Sequence, residues 1–290
     1  MGLLRKELHM GIADIYFKNE VNEILTTGFN DEAYSVRPKW PDGTPAHTIK
    51  THCAVRRYDL SKEFPILTLR TQAFKGVVRE LLWMWQKKSN VVDELGKSAP
   101  IWRAWEGPDG TIGKTYGYQL GKTADYGYGI LDQVDNLIYL LKNRPMDRRM
   151  ITTMWCPQDL SEMNLPPCVY ETLWDVSDGK LNCTVIQRSG DLLAAAASGG
   201  WDTIQYAVLT HMLAQVCGYK VGTLVHIVNN LHIYDRHTEL VKEIMENPEY
   251  PSPVLKINPE VKDFYEFTED DFELVGYQST KLTTKFEVAQ

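Results

Sequence analysis

The sequence predicts a mixed α/β protein folded as one domain over residues 1–290. Three observations predict it. Segments with helical apolar spacing alternate with segments that read as extended strands. A chain of 290 residues can bury a substantial core without splitting. No internal repeat or low-complexity linker divides it. Residues 1–10 are charged, lack an apolar stretch of leader length, and read as a loose N-terminal extension.

The elements follow in order. Ile12, Ile15, Tyr16, Val21, Ile24 and Leu25 recur at three- and four-residue steps, giving a helix over 11–28 that Gly28 ends. A turn-rich loop from Val36 to Thr44 carries Arg37. Strands are expected at 47–58 and 65–70, and an apolar helix at 74–86. Trp102 and Trp105 lie three apart, on one helical face. A glycine-bearing turn spans 110–117, and a helix 130–143. Arg148 and Arg149 precede a strand at 150–155. An alternating run from Tyr170 to Cys183 and a strand at 179–187 follow, then a small-residue loop at 192–200. A helix is expected at 201–216, a strand at 222–228, and a polar, strand-like tail at 253–290.

Composition excludes several classes. The formal charge of −7 argues against a general nucleic-acid binder or a membrane-surface protein. No stretch approaches the ~20 apolar residues of a membrane span. The five cysteines form no CxxC pair and no metal-ligand spacing, so no metal is expected. An odd number of cysteines without a leader suggests a reducing cytoplasm.

Several residues carry candidate chemistry. Cys168 follows two prolines just ahead of a strand, a setting that can hold a thiol rigidly at a strand edge. On its own it reads more readily as a small buried residue. Glu80 lies beside Leu81, Leu82 and Trp83, where a carboxylate must be paired or work as an acid or base. Gln187-Arg188-Ser189-Gly190-Asp191 joins a guanidinium, a hydroxyl and a turn, a plausible phosphate cradle. Asp202 begins the 201–216 helix, where an N-cap is the plain reading. His232 and Tyr234 alternate onto one side of an extended segment.

Taken together, the motifs resemble the thymidylate synthase family. They are Arg-Glu-Leu-Leu-Trp at 79–83, Ile-Trp-x-x-Trp at 101–105, Tyr-Gly-x-Gln at 116–119, Arg-Arg at 148–149, Pro-Cys at 167–168, Gln-Arg-Ser-x-Asp at 187–191, Gln-Tyr-x-x-Leu at 205–209 and His-Ile-Tyr at 232–234. The resemblance spans nearly the full chain. It implies a large twisted mixed sheet of six strands with helices on one face, dimerising through the sheet. It also implies a pyrimidine nucleoside monophosphate substrate and 5,10-methylenetetrahydrofolate as co-substrate. Cys168 would be the nucleophile that adds to pyrimidine C6, with Arg188 favouring its thiolate. Glu80 and Tyr116 would handle protons. Arg37, Arg188 and Ser189, with Arg148 and Arg149 from the other subunit, would hold the phosphate. Gln187, Asp191, His232 and Tyr234 complete the nucleotide site, the last two at the sugar 3′-hydroxyl. Ile101, Trp102, Trp105, Leu165, Asp191 and Ala289 would line the folate pocket, the last in a closing C-terminal tail.

Departures from the family pattern point elsewhere. Residues 192–200 replace the family's Leu-Gly-x-Pro-Phe-Asn loop and lengthen it, and Gln205-Tyr206 then sets Asp202 where the family has its base-reading Asn. In the N3-protonated enamine that follows cysteine attack on cytosine, an ionised aspartate can accept from both N3–H and the 4-amino group, so a cytosine nucleotide is expected. That leads to a methylenetetrahydrofolate-dependent (deoxy)cytidylate 5-hydroxymethyltransferase, loosening of the 192–200 loop or of Gln290 admitting water. The alternatives are a dCMP methyltransferase, a uridylate-methylating thymidylate synthase with an altered loop, and an inactive nucleotide- or RNA-binding paralogue. Gly190 stands where a Cys is common, and the smaller residue would admit a ribose 2′-hydroxyl.

Overall fold

The computed structural model describes residues 10–290, so the expected N-terminal extension lies outside the described residues except for Met10. The principal helices are α1 (Ile12–Thr27), α2 (Phe74–Trp85), α3 (Gln133–Asn143), α4 (Trp201–Cys217) and α5 (Thr238–Met245). The strands of the main sheet are β1 (Phe29–Asn30), β2 (Thr48–Asp59), β3 (Ile151–Thr153), β4 (Val169–Ser177), β5 (Lys180–Gln187), β6 (Gly190–Asp191) and β7 (Lys220–Tyr234).

The sheet is mixed, in the order β1-β2-β7-β5-β4-β3, with two-residue β6 also on β7. It therefore has seven strands rather than six. β5 and β6 pair β7 in parallel, and the other pairings are antiparallel. Register explains which face is covered. Arg56, His226, Val185, Thr172 and Thr152 are successive cross-strand neighbours from β2 to β3, and all are buried. The adjacent row, Arg57, Val225, Thr184, Leu173 and Ile151, faces the other way and is partly or fully exposed in one protomer. The two-residue period of a strand produces the division. Helices α1 and α4 supply the cover, through side chains such as Phe17, Ile204 and Leu209, and α2 packs on α4.

Most sequence expectations hold at the level of elements, with four corrections. Residues 65–70 are not a strand: Ile66, Leu67 and Leu69 are buried, but in an irregular segment. The run from Tyr170 breaks at Asp178-Gly179, both at positive φ, into the β4–β5 hairpin. Helix α3 starts at Gln133, after Asp132 caps it by accepting from Val134 N and Asp135 N. The strand expected at 222–228 runs on to Tyr234. In the tail, Val254–Ile257 and Phe272–Val275 form an antiparallel ribbon.

The loop at 192–200 is the most consequential piece. Leu192, Leu193, Ala196 and Ala197 are buried in one cluster with Phe17, Leu67 and Val228. Gly199, at φ 66, brings its carbonyl to Leu67 N at 2.8 Å, and a Cβ there would stand 2.4 Å from that same nitrogen. Ser198 and Tyr58 share a hydroxyl–hydroxyl bond of 2.7 Å, and Arg70 donates to Leu193 O at 2.6 Å. Small residues at these positions let the loop pack against the rest of the core rather than loosen it.

Candidate active site

Strand ends bring the predicted residues together. Cys168 precedes β4, and Val169 pairs with Gln187 at the end of β5. Beyond it, Gly190 and Asp191 pair with Leu231 and His232 of β7. Cys168, Gln187, Arg188, Asp191, His232 and Tyr234 thus share one end of the sheet. Helices α2 and α4 bring Glu80 and Asp202 over the same end.

Cys168 is half-buried. Its amide donates to Tyr116 Oη at 3.1 Å, and Arg188 N donates to its carbonyl at 2.8 Å. The Arg188 guanidinium is anchored by Pro167 O at 3.0 Å and Pro166 O at 2.7 Å, which leaves Nη2 3.9 Å from Sγ. The two prolines therefore do more than set backbone angles: their carbonyls aim the arginine. Burial raises the thiol above its ordinary value, Arg188 opposes that, Asp202 adds to it, and Arg37 opposes it. The expected thiolate is thus favoured by Arg188 but not reached on balance in the free protein.

Glu80 is buried and accepts three hydrogen bonds. Trp102 Nε1 donates to Oε2 at 2.6 Å, and Trp201 Nε1 and Gln205 Nε2 each donate to Oε1 at 2.8 Å. Burial raises its carboxyl while these donors resist the rise. The neighbouring Arg79 turns to Glu269 and Ser98 rather than to Glu80. In the sequence Trp201 stands only as the start of a helix and Gln205 only as a motif residue. Their indole and amide donors gave no sequence signal because the acceptor lies over a hundred positions away.

Tyr116 is buried, with φ 46, an unusual conformation for a non-glycine residue. Its ring meets Trp102 edge-on at 5.4 Å, and Trp102 meets Trp105 at 5.7 Å. Leu165 and Trp105 are half-buried at this cluster, and Ile101 is exposed at 47%.

Asp202 lies in the first turn of α4 but does not cap it; Gly200 holds the cap position. Its Oδ2 accepts from Gln187 Nε2 at 2.9 Å. Burial, reinforced by Glu80, pushes its carboxyl up to about 7, against the opposing pull of Gln187 and Arg56. Asp191 accepts from Leu193 N through Oδ1, while its buried Oδ2 has no partner among the described residues. His232 Nδ1 meets Asn230 Oδ1 at 3.0 Å, and burial lowers its basicity. The neutral ring then donates from Nδ1 and keeps Nε2 as an acceptor. Asn230 orients the histidine. Tyr234 packs against Trp40 and His237, its phenol pushed up to about 12 by burial.

Arg37 is exposed and close enough to influence both Cys168 and Tyr234. The C-terminus is docked on its loop: Lys39 N donates to Gln290 O at 2.8 Å, and Gln290 N to Lys39 O at 3.0 Å. Ala289 packs with Trp40, Ala46 and Tyr234. Ser189 is half-buried and gives its carbonyl to Gln187. Arg148 and Arg149 do not join the cluster within one protomer. They precede β3, whose Ile151 pairs with Leu173, well down β4 from Cys168, a separation of roughly 20 Å along the strand. Arg149 ties to Asp147 at 2.7 Å. Gly190 leaves no room for a ribose hydroxyl, because a Cβ there would already meet Ala196 at 2.6 Å and Val228 at 2.8 Å.

The model of the thymidylate synthase family matches residues 15–290. The chain belongs to the thymidylate synthase family. It is 47% identical to the thymidylate synthase of Bacillus phage phi3T over 280 residues, covering 95% of this chain and 98% of the other. It is 46% identical, over the same shares, to the thymidylate synthase of Bacillus subtilis subsp. natto. Among solved structures, the thermostable thymidylate synthase A of Bacillus subtilis superposes with a TM-score of 0.89 at 44% identity, covering 96% of this chain and 99% of that one. The family binds pyrimidine monophosphates, is homodimeric, and uses 5,10-methylenetetrahydrofolate as co-substrate.

These thymidylate synthases overturn the expectation of a (deoxy)cytidylate 5-hydroxymethyltransferase. The physical reasons lie in two assumptions. The cytosine argument took Asp202 as ionised, yet its surroundings leave the neutral acid well populated at neutral pH. The water argument took the 192–200 loop and Gln290 as loosened, yet the loop is part of the core and the terminus is paired on both sides of its last peptide.

Among the described residues, no cluster of His, Cys, Asp and Glu could hold a metal ion. No described helix is long and apolar enough to cross a membrane.

Proposed function

We propose that this protein is a thymidylate synthase, a homodimer that methylates C5 of deoxyuridylate with 5,10-methylenetetrahydrofolate. The observation that carries the reading is identity of 46–47% with thymidylate synthases across 95% of the chain. The site supports it. Cys168 adds through Sγ to C6 of the pyrimidine, and the π electrons move toward C5 and O4, so C5 becomes a carbon nucleophile. Arg188 draws the proton equilibrium of Cys168 toward thiolate. Glu80, fixed by three donors, manages protons at the O4 side, and Tyr116, a neutral phenol whose Oη accepts from the Cys168 amide, lies on the side from which the C5 proton leaves to water. The folate supplies the one-carbon unit and the hydride that turns it into methyl.

The folate pocket fits on one observation in particular. Asp191 presents a buried carboxylate oxygen without a partner among the described residues, which suits the N–H groups of a pterin ring. Trp102, Trp105, Leu165, Ile101 and Ala289 form the surrounding wall, with the Trp102 N–H already committed to Glu80. Arg37, Arg188 and Ser189 bind the phosphate, together with Arg148 and Arg149 of a second subunit. The distance of that pair from their own Cys168 supports the trans arrangement. His232 Nε2 and Tyr234 take the sugar hydroxyl. One domain over 1–290 and a cytoplasmic location belong to the same reading; all five cysteines are unpaired, which suits a reducing compartment.

The test is incubation of the protein with deoxyuridylate and 5,10-methylenetetrahydrofolate, followed by mass analysis of the nucleotide and assay of dihydrofolate. Thymidylate and dihydrofolate in equal amounts are expected, both absent for Cys168→Ala. A hydroxymethyl product, or no product from the intact protein, would overturn the proposal.

A further inference from the structure

The Gln187 amide is fixed by its neighbours. Its Nε2 donates to Ser189 O at 2.9 Å, and a backbone carbonyl can only accept. The amide oxygen is therefore turned to His226 Nε2, at 2.8 Å. His226 is buried and held neutral, so its Nε2 carries the proton and its Nδ1 accepts from Thr203 Oγ1 at 3.2 Å. The second hydrogen of the Gln187 amide then goes to Asp202 Oδ2 at 2.9 Å. This chain runs Thr203, His226, Gln187, Asp202; the donor directions from His226 to Asp202 are determined, while the Thr203 hydroxyl has a second acceptor in Ala197 O at 3.4 Å. The chain leaves Oδ1 of Asp202 without a donor among the described residues.

We propose that Asp202 reads the base as a neutral acid, Oδ2 accepting from N3–H of the pyrimidine and a proton on Oδ1 being donated to O4. The inference rests on the uridylate reading above and deepens it. A neutral carboxyl offers one donor and one acceptor side by side, the same pattern as a primary amide, and so complements the uracil edge. An ionised Asp202 would set an acceptor against O4, itself an acceptor, and would repel it.

The charged and titratable groups around Asp202 are consistent with a held proton. Glu80 from α2 is a second carboxyl, Cys168 and Tyr116 are nearby groups that would be negative if ionised, and Tyr206 is on the same helix. Among the described residues, the cation acting on Asp202 is Arg56 on β2, which is paired with Glu20 through Nε and Nη2 and keeps a buried Nη1 without a partner; burial and Glu80 outweigh its pull. The position of Asp202 near a helix N-terminus favours the anion, but burial outweighs that contribution.

Proton uptake on nucleotide binding tests this directly. Calorimetric titration of deoxyuridylate into the dimer, in buffers of differing ionisation heat at about one pH unit above neutral, counts protons taken up. The phosphate of the nucleotide contributes equally to wild type and to Asp202→Asn, so the difference between them isolates residue 202. An uptake greater by close to one proton in wild type is expected. In parallel, kcat/KM for deoxyuridylate should fall about tenfold per pH unit above the Asp202 midpoint in wild type and lose that limb in Asp202→Asn. Binding with equal proton uptake in both proteins would overturn the inference and leave the proposed function standing. Extra uptake without thymidylate formation would overturn the function and leave the inference. Tighter binding of deoxycytidylate than of deoxyuridylate by wild type at neutral pH would overturn the inference outright.

Discussion

The indole N–H of Trp102 donates to Glu80 Oε2 at 2.6 Å, deep in a cluster where the carboxylate has no cation partner. Hydrogen bonds to the charged form are what hold such a group ionised. Replacing Trp102 with Phe keeps an aromatic ring against Trp83, Trp105 and Tyr116 but removes the donor. The Glu80 carboxyl should then rise further. Its contribution to rate is as a carboxylate, so the acid limb of kcat/KM should move to higher pH. Loss of one bond to a charged group corresponds to about 1.5–3 kcal/mol, and the limb should shift by about one to two pH units. An acid limb that stays in place in Trp102→Phe, and also in Trp201→Phe, would show that Glu80 is not held this way.

Arg188 and Cys168 give a second test. The guanidinium is aimed at Sγ by two proline carbonyls, and a lysine cannot make that forked contact. Arg188 lowers the thiol against the effect of burial, so Arg188→Lys should raise the midpoint of thiolate formation. Alkylation of Cys168 by iodoacetamide, followed over pH by peptide mass analysis, reads that midpoint. A midpoint that falls or does not move would mean that Arg188 serves only the phosphate.

Much of this site was legible in the sequence, and the illegible parts have a common cause. Cys168, Glu80, Arg188 and His232 stand in short motifs whose chemistry depends on local spacing. The protonation of Asp202 depends on burial and on Gln187, Glu80 and Arg56 from three other elements, which no local pattern records. Trp201, Gln205 and Asn230 act on residues whose identity was readable, but their own role is set by tertiary contact. The same holds for the fold. Helix α2 follows from its apolar spacing, whereas 65–70 has the apolar content of a strand and is buried without a strand neighbour to pair with. The loop at 192–200 looked loose because its residues are small, and small size is what lets it pack.

Arg56 and Glu20 form a buried bidentate pair at 2.6 and 2.8 Å, joining β2 to α1. Removing one partner leaves a buried charge alone, a loss of about 3–5 kcal/mol. Arg56→Met should lower stability by that order in urea denaturation. The double replacement Arg56→Met with Glu20→Leu should recover most of it, since a matched apolar pair carries no desolvated charge. A double variant no more stable than Arg56→Met would mean that packing, not charge, sets the loss.

The C-terminal residue pairs with the loop that bears Arg37, through two backbone bonds between Gln290 and Lys39. Removing Ala289 and Gln290 frees that loop and uncovers Tyr234 and Trp40. Two bonds of about 1 kcal/mol each correspond to a loss of about 5- to 30-fold in whatever the loop binds. Because Arg37 belongs to the proposed phosphate site, the truncated protein should bind deoxyuridylate more weakly by that factor, while deoxyuridine, which lacks the phosphate, should be unaffected. Fluorescence titration with the two ligands separates the cases. Equal weakening of both would place the effect on Tyr234 and the sugar rather than on Arg37.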